Sequence, residues 1–333
     1  MAVFFVVKRL SFIKKNTFHF IQSGLDNSCN IPFYRVLFCL CRSKRYMSKC
    51  LILFCVLVTF VLTGCSCRDS YNTFIKNSRG EKIYVEVSGL NNKAGKRLVF
   101  LQHGMGTSHK DYLIQAAKQI FEENGFTVVA FDNRNALGES DGKLENASIS
   151  TYIEDLNTVI DWSREQDFYS EPFSLLGVSM GGASVIEFSR LHPAEVCELI
   201  LISPVVGGKY WEEAALAYTP EDYKNWRSKG WYLFSNGEEI SRVPYTLVED
   251  AKKYDAVKTA GSIRADVLII VGDKDVISAP EHNRLFFYRL NTVKKMVVLP
   301  DSDHIYLNLY QSGRVYDAFK TVIEPEIKAG CRR

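Results

Sequence analysis

Past residue 67 the chain holds just two cysteines, Cys197 and Cys331; Cys29, Cys39, Cys41, Cys50, Cys55, Cys65 and Cys67 all come earlier. Two cysteines that far apart provide no disulfide framework and no closely spaced zinc set. Cys197 lies in an apolar strand pattern, so a buried, inert thiol is expected there. The same stretch lacks a basic excess. Residues 1–64 carry 9 of the 41 Lys and Arg but 1 of the 38 Asp and Glu, leaving 32 basic against 37 acidic groups in the rest. That body has a net charge of −5 and no basic patch, which sets nucleic acid aside as a partner. Repeats and low-complexity tracts are missing from it too. What remains is a 333-residue globular chain, 47% hydrophobic and 24% charged, long enough for one large domain or two small ones.

Bilayer-length apolar runs are also wanting. Leu51–Thr63 (LILFCVLVTFVLT) is uncharged and follows Lys44, Arg45 and Lys49. At about 1.5 Å per residue it falls well short of a hydrocarbon core of about 30 Å, so a spanning helix is disfavoured. A basic start, a short apolar stretch and small residues have the build of a secretory signal. Leu62-Thr63-Gly64-Cys65 resembles the lipobox of bacterial lipoproteins. The resemblance implies cleavage before Cys65, a diacylglycerol on its thiol, and a membrane-anchored lipoprotein of the bacterial cell envelope. Residues 47–64 would then be the signal peptide, starting at Met47, and 1–46 an extension or an over-long start. A basic, acid-poor transit peptide is the alternative for that extension, and an uncleaved anchor the alternative for the signal.

From about residue 72 to 330, strand-like and helix-like stretches alternate. The pattern predicts an α/β fold, a mostly parallel central sheet flanked by helices. Strands are expected at 73–76, 82–88, 98–102, 127–131, 173–176, 198–202, 267–271 and 296–299. Helices are expected near 111–124, 153–165 and 183–191. One stretch, about 207–262, breaks the rhythm and is dense in aromatics, Tyr210, Trp211, Trp226, Trp231 and Tyr232 among them. It sits where an inserted lid is expected. Its rings either pack the lid on the body or line a pocket.

Phe173–Leu176 runs into Gly177-Val178-Ser179-Met180-Gly181. A strand that turns sharply into a helix exposes the Ser179 hydroxyl, and the turn is tight enough to demand small neighbours. Serine is a poor nucleophile near neutral pH, so a base must take its proton. Among six histidines, His304 follows a strand near the C-terminal end, in Leu299-Pro300-Asp301-Ser302-Asp303-His304. His19 falls in the leader. His109, His192 and His282 lie in or beside helical segments, where solvent-facing or capping roles are expected.

A carboxylate must orient the imidazole and stabilise its charged form. Gly272-Asp273-Lys274-Asp275 follows a strand. Asp275 is preferred, because the chain must turn at Gly272 before an acid can face the histidine; Asp273 then shapes the loop. The oxyanion formed in acyl transfer needs donors, expected from the backbone amides of Met180 and of Met105, in Gln102-His103-Gly104-Met105-Gly106. His103 is expected to be a structural hydrogen-bonding residue.

Together these elements resemble the α/β-hydrolase superfamily, in particular its lid-bearing esterase, monoacylglycerol-lipase and serine-aminopeptidase-like branch. The family commonly has Asp-x-Arg-Gly-x-Gly-x-Ser after its fourth strand. Here Asp132-Asn133-Arg134-Asn135-Ala136-Leu137-Gly138-Glu139-Ser140 is one residue longer, with Asn135 at the first glycine. Asn tolerates a left-handed backbone, so the turn can persist. The resemblance implies a serine hydrolase of small acyl esters, working without metal or organic cofactor. Peptide and thioester cleavage, or acyl transfer, would use the same machinery. The rival class is a membrane-tethered binding protein with an idle triad.

Overall fold

The computed structural model describes residues 69–91, 97–235 and 240–330. The chain divides into Met1–Ser66 and Cys67–Arg333. The first unit, with Met47, the apolar run and Cys65, lies outside the described residues. Among the described residues, no helix is long and apolar enough to cross a membrane.

The second unit is built on an eight-stranded sheet. Its strands are β1 (Ser70–Lys76), β2 (Lys82–Ser88), β3 (Arg97–Gln102), β4 (Phe126–Phe131), β5 (Phe173–Val178), β6 (Val196–Ile202), β9 (Asp266–Gly272) and β10 (Lys294–Leu299). Their order is β1-β2-β4-β3-β5-β6-β9-β10. β2 pairs antiparallel with both β1 and β4, and from β4 to β10 every pairing is parallel. β4 and β5 are buried at every position, as a strand covered on both faces must be. Helix α1 (Tyr112–Glu123) and the C-terminal α10 (Val315–Ala329) send Leu113, Ile120, Phe319 and Ile323 into one apolar layer. On the other face α2 (Ile149–Ser163) and α3 (Met180–Leu191) contribute Leu156, Val159, Ile160, Val185 and Phe188. The architecture is therefore the α/β fold expected, with a mostly parallel sheet between helices.

Local sequence sets the boundaries. Asp111 accepts from the Leu113 amide at the start of α1, and Ser148 and Thr151 form a reciprocal capping box at the start of α2. His192 closes α3 as its C-terminal cap and contacts Glu195 at 3.1 Å.

Between β6 and β9 the chain departs from strand–helix alternation. It forms α4 (Gly208–Tyr218), α5 (Pro220–Lys229), an antiparallel hairpin of β7 (Trp231–Ser235) and β8 (Ile240–Pro244), then α6 (Thr246–Ala251) and α7 (Ala256–Thr259). Its aromatics do pack: Trp226 meets Trp211, Tyr223, Tyr232 and Tyr245 edge-on, and the Trp226 indole N–H donates to the Val243 carbonyl at 3.0 Å. A third apolar cluster joins this insertion to Leu144, Ile149, Tyr152 and Met180 of the body. The Ser150 amide and hydroxyl, both bonded to Asp250, add a polar tie.

Three expectations fail here. Cys197 is buried as foreseen but is disulfide-bonded, not an inert thiol. It is the one cysteine among the described residues, so its partner lies outside them. His109 is neither solvent-facing nor a cap. It is 4% exposed, stacked on Tyr84 with ring centroids 4.6 Å apart, and its Nδ1 lies 2.8 Å from the buried Asp132 carboxylate. Polar sequence neighbours concealed a partner 23 residues away. His282 is likewise largely covered, packed beside Tyr210 and 3.4 Å from Glu213.

Candidate active site

β5 ends at Val178 and α3 begins at Met180, which leaves Ser179 alone to make the turn. Ser179 holds φ 52°, a left-handed value that non-glycine residues adopt at a cost of order 1–3 kcal/mol. Packing enforces it. A side chain at Gly177 would come within 2.6 Å of the Gly181 carbonyl oxygen, and one at Gly181 within 2.5 Å of the Gln102 carbonyl oxygen. The glycines let α3 start directly against the ends of β5 and β3. Met180 opens the helix, so its N–H has no intrahelical acceptor and is free to bind a developing anion.

Two loops bring the other groups to Ser179. After β10, His304 places Nε2 2.9 Å from the Ser179 hydroxyl oxygen. After β9, Asp275 places its carboxylate oxygens 3.0 and 2.9 Å from His304 Nδ1. Asp275 is 2% exposed and also accepts from the amides of Ile277 and Ser278, at 2.9 and 2.8 Å. Burial pushes its pKa up, but His304 and these donors outweigh burial and hold it below the ordinary 3.8. Asp273 points elsewhere and accepts from the Ser302 amide at 3.1 Å. A serine hydroxyl, an imidazole and a carboxylate in one hydrogen-bonded chain form a device that can take a proton from the hydroxyl and return it.

The loop after β3 supplies the opposite wall. A side chain at Gly104 would lie 3.3 Å from the Ser179 Cβ, so this loop abuts the serine. Met105 follows, half-buried and packed against the third apolar cluster. His103 is fully buried, and Nε2 accepts from the Asn133 amide at 2.9 Å. Burial lowers its pKa, which keeps the ring neutral. Gly106 (φ 69°) carries the Phe234 ring of β7 so closely that an added Cβ would collide with it at 2.4 Å.

Sequence reasoning left the Asp132–Ser140 loop without a role. Asp132 accepts from the His109 amide at 2.6 Å and from the Glu139 amide at 2.8 Å, joining this loop to the one that holds Met105. Arg134 is buried against Asp155 at 2.5 Å. Asn135 adopts φ 60°, the left-handed turn expected there. Neighbouring small and polar residues could have suggested a tight loop; what it contacts is visible only in three dimensions. Among the described residues, no group of three or more His, Cys, Asp or Glu is placed to hold a metal ion.

Residues 93–228 match the family model described as serine aminopeptidase, S33. A palmitoyl-protein thioesterase, ABHD10, of Bos taurus is 24% identical over 220 residues, covering 62% of this chain and 69% of that protein. Among solved structures, the α/β-hydrolase domain-containing protein 10 of mouse superposes with a TM-score of 0.62 at 18% identity, covering 78% of this chain and 99% of the other. Est1E of Butyrivibrio proteoclasticus, solved with ferulic acid, gives 0.60 at 21% identity, over 76% of this chain and 99% of that one.

Proposed function

We propose that this chain, which has an α/β-hydrolase fold, is a hydrolase that cleaves carboxylic esters through an acyl-enzyme on Ser179. The observation that carries the reading is the unbroken Ser179–His304–Asp275 hydrogen-bonded chain at the elbow. Ser179 Oγ attacks the ester carbonyl while its proton passes to His304 Nε2. Asp275 holds the Nδ1–H and balances the imidazolium charge. The carbonyl oxygen, now anionic, is received by the N–H groups of Met180 and Met105. Collapse expels the alcohol, which leaves with the His304 proton, and the acyl group stays on Ser179. Water, deprotonated by His304, then releases the acid and restores the hydroxyl. The insertion at 207–262 serves as the lid, with Phe234 bearing on Gly106 as its contact with the oxyanion loop.

Relatives whose names read thioesterase and esterase support acyl transfer to water, and an oxygen ester is the substrate class proposed here. Steady-state hydrolysis of chromogenic esters of graded acyl length, with a thioester and a peptide amide alongside, tests this. Ester turnover that disappears in Ser179→Ala supports it; faster amide or thioester cleavage would replace the ester.

The protein is further proposed to act outside the cytoplasm, tethered through a lipid on Cys65. The disulfide at Cys197 favours an oxidising compartment. Metabolic labelling with a fatty-acid analogue should be lost in Cys65→Ala; undiminished labelling contradicts the tether.

A further inference from the structure

One peptide unit in the loop after β3 has an unusual set of bonds. The Gly104 carbonyl oxygen is approached by three donors: His103 Nδ1 at 2.7 Å, the Tyr152 hydroxyl at 3.1 Å and the Thr107 hydroxyl at 3.2 Å. A carbonyl has two lone pairs, so three donors saturate it.

The donors are fixed as donors. Asn133 N–H occupies His103 Nε2, so a neutral ring must carry its proton on Nδ1, facing Gly104. Tyr152 is fully buried on α2, and burial pushes its pKa well up, so the hydroxyl keeps its hydrogen. The Tyr152 carbonyl is itself tied by the Gln102 amide at 2.9 Å, and the same Gln102 nitrogen bonds Asn133 Oδ1 at 2.7 Å. The clamp therefore extends into the Asp132-Asn133-Arg134 loop and α2.

Its target is the other end of the same peptide. Gly104–Met105 is trans, and in a planar trans peptide the C=O and N–H point in opposite directions. Whatever fixes the Gly104 oxygen aims the Met105 N–H, and donors on the oxygen polarise that N–H further. We propose that Tyr152, Thr107 and His103 are positioning residues for the oxyanion, holding the Gly104–Met105 peptide so that the Met105 N–H faces Ser179 before substrate arrives. None of the three touches the reacting atoms. The inference rests on the serine-hydrolase reading above.

Tyr152→Phe keeps the ring and deletes one donor; Thr107→Val does the same at a half-buried position and carries the test if the first variant folds poorly. Both should be compared with wild type in kcat and KM for a chromogenic ester, per active site titrated with a fluorophosphonate, and in the rate of fluorophosphonate labelling. Removing a whole oxyanion donor costs about 10²–10³ in kcat, so loss of one support should cost less, about tenfold for Tyr152→Phe and about threefold for Thr107→Val. KM should stay within about twofold, and labelling should slow in parallel, because phosphonylation also builds charge on that oxygen. A merely structural role would lower the active fraction and leave kcat per titrated site alone. Unchanged kcat per site and unchanged labelling rate in both variants would overturn the clamp. If wild type labels at Ser179 but turns over no ester, the ester reading fails while the labelling rates still decide the clamp. If wild type does not label, both fail.

Discussion

Two imidazoles stand on loops that reach the elbow serine, and they differ in what holds their nitrogens. His304 lies between the Asp275 carboxylate and the Ser179 hydroxyl. The hydroxyl can give up a proton, and the carboxylate stabilises the ring once it is charged. His103 lies between the Asn133 N–H and the Gly104 carbonyl, neither of which exchanges a proton. Burial lowers the pKa of His103 and its tautomer is locked. On the proposed mechanism the same side chain is thus a proton carrier at position 304 and a fixed strut at position 103. The partner groups decide which, more than the residue type.

The sharpest way to break this comparison is to remove the partner that makes His304 a carrier. Asp275→Asn should lower kcat by about 10³–10⁴, by permitting the wrong tautomer and leaving the imidazolium unbalanced. Asp273→Asn, at the rejected acid, should change kcat by less than about threefold; the reverse ranking in steady-state assays would reassign the triad acid. A smaller effect is expected at the strut. His103→Leu strands the buried Asn133 N–H and removes one donor from Gly104, costing roughly 1–3 kcal/mol of stability. At about 2–4 °C per kcal/mol for a domain of this size, thermal unfolding should move down by about 2–12 °C. Activity per titrated site should fall about tenfold, not to the level of Asp275→Asn. A collapse in turnover with unchanged Tm would mean that His103 carries a proton after all.

The smallest effect is in the pH dependence of stability. Asp275 is held below its ordinary 3.8. A carboxylate lowered in the fold contributes stability that is present above its unfolded value, about 3.9, and is lost as pH falls through its folded value. Urea unfolding of Asp275→Asn should therefore show a shallower loss below about pH 4 than wild type. Identical slopes would place the charge compensation elsewhere.

The carrier side was easier to read from sequence than the strut side. Ser179 sits in a motif whose glycines answer a local steric demand, and the strand before it is a plain apolar run because both faces are covered. Asp275 follows the buried strand β9 and His304 the half-exposed edge strand β10, so their place after strands, in chain order behind Ser179, pointed to them. The fold was legible for the same reason. The clamp on Gly104 was not, because its donors come from residues 103, 107 and 152 and are joined only by tertiary packing. His109 was misjudged because its partner, Asp132, is remote and its neighbours are polar. The β7–β8 hairpin was also passed over. Its Trp231–Ser235 run alternates exposed and half-buried residues and is rich in strand-favouring aromatics, a signal submerged in the aromatic density around it. Nothing in the Val196–Ile202 pattern marks Cys197 as bridged.

The central claim is that Ser179 is the nucleophile. Intact-mass and peptide mapping of the folded chain after fluorophosphonate treatment tests it most directly. One adduct per chain, located on Ser179 and lost in Ser179→Ala, is the predicted result; an adduct on another residue, or equal labelling of Ser179→Ala, would contradict it.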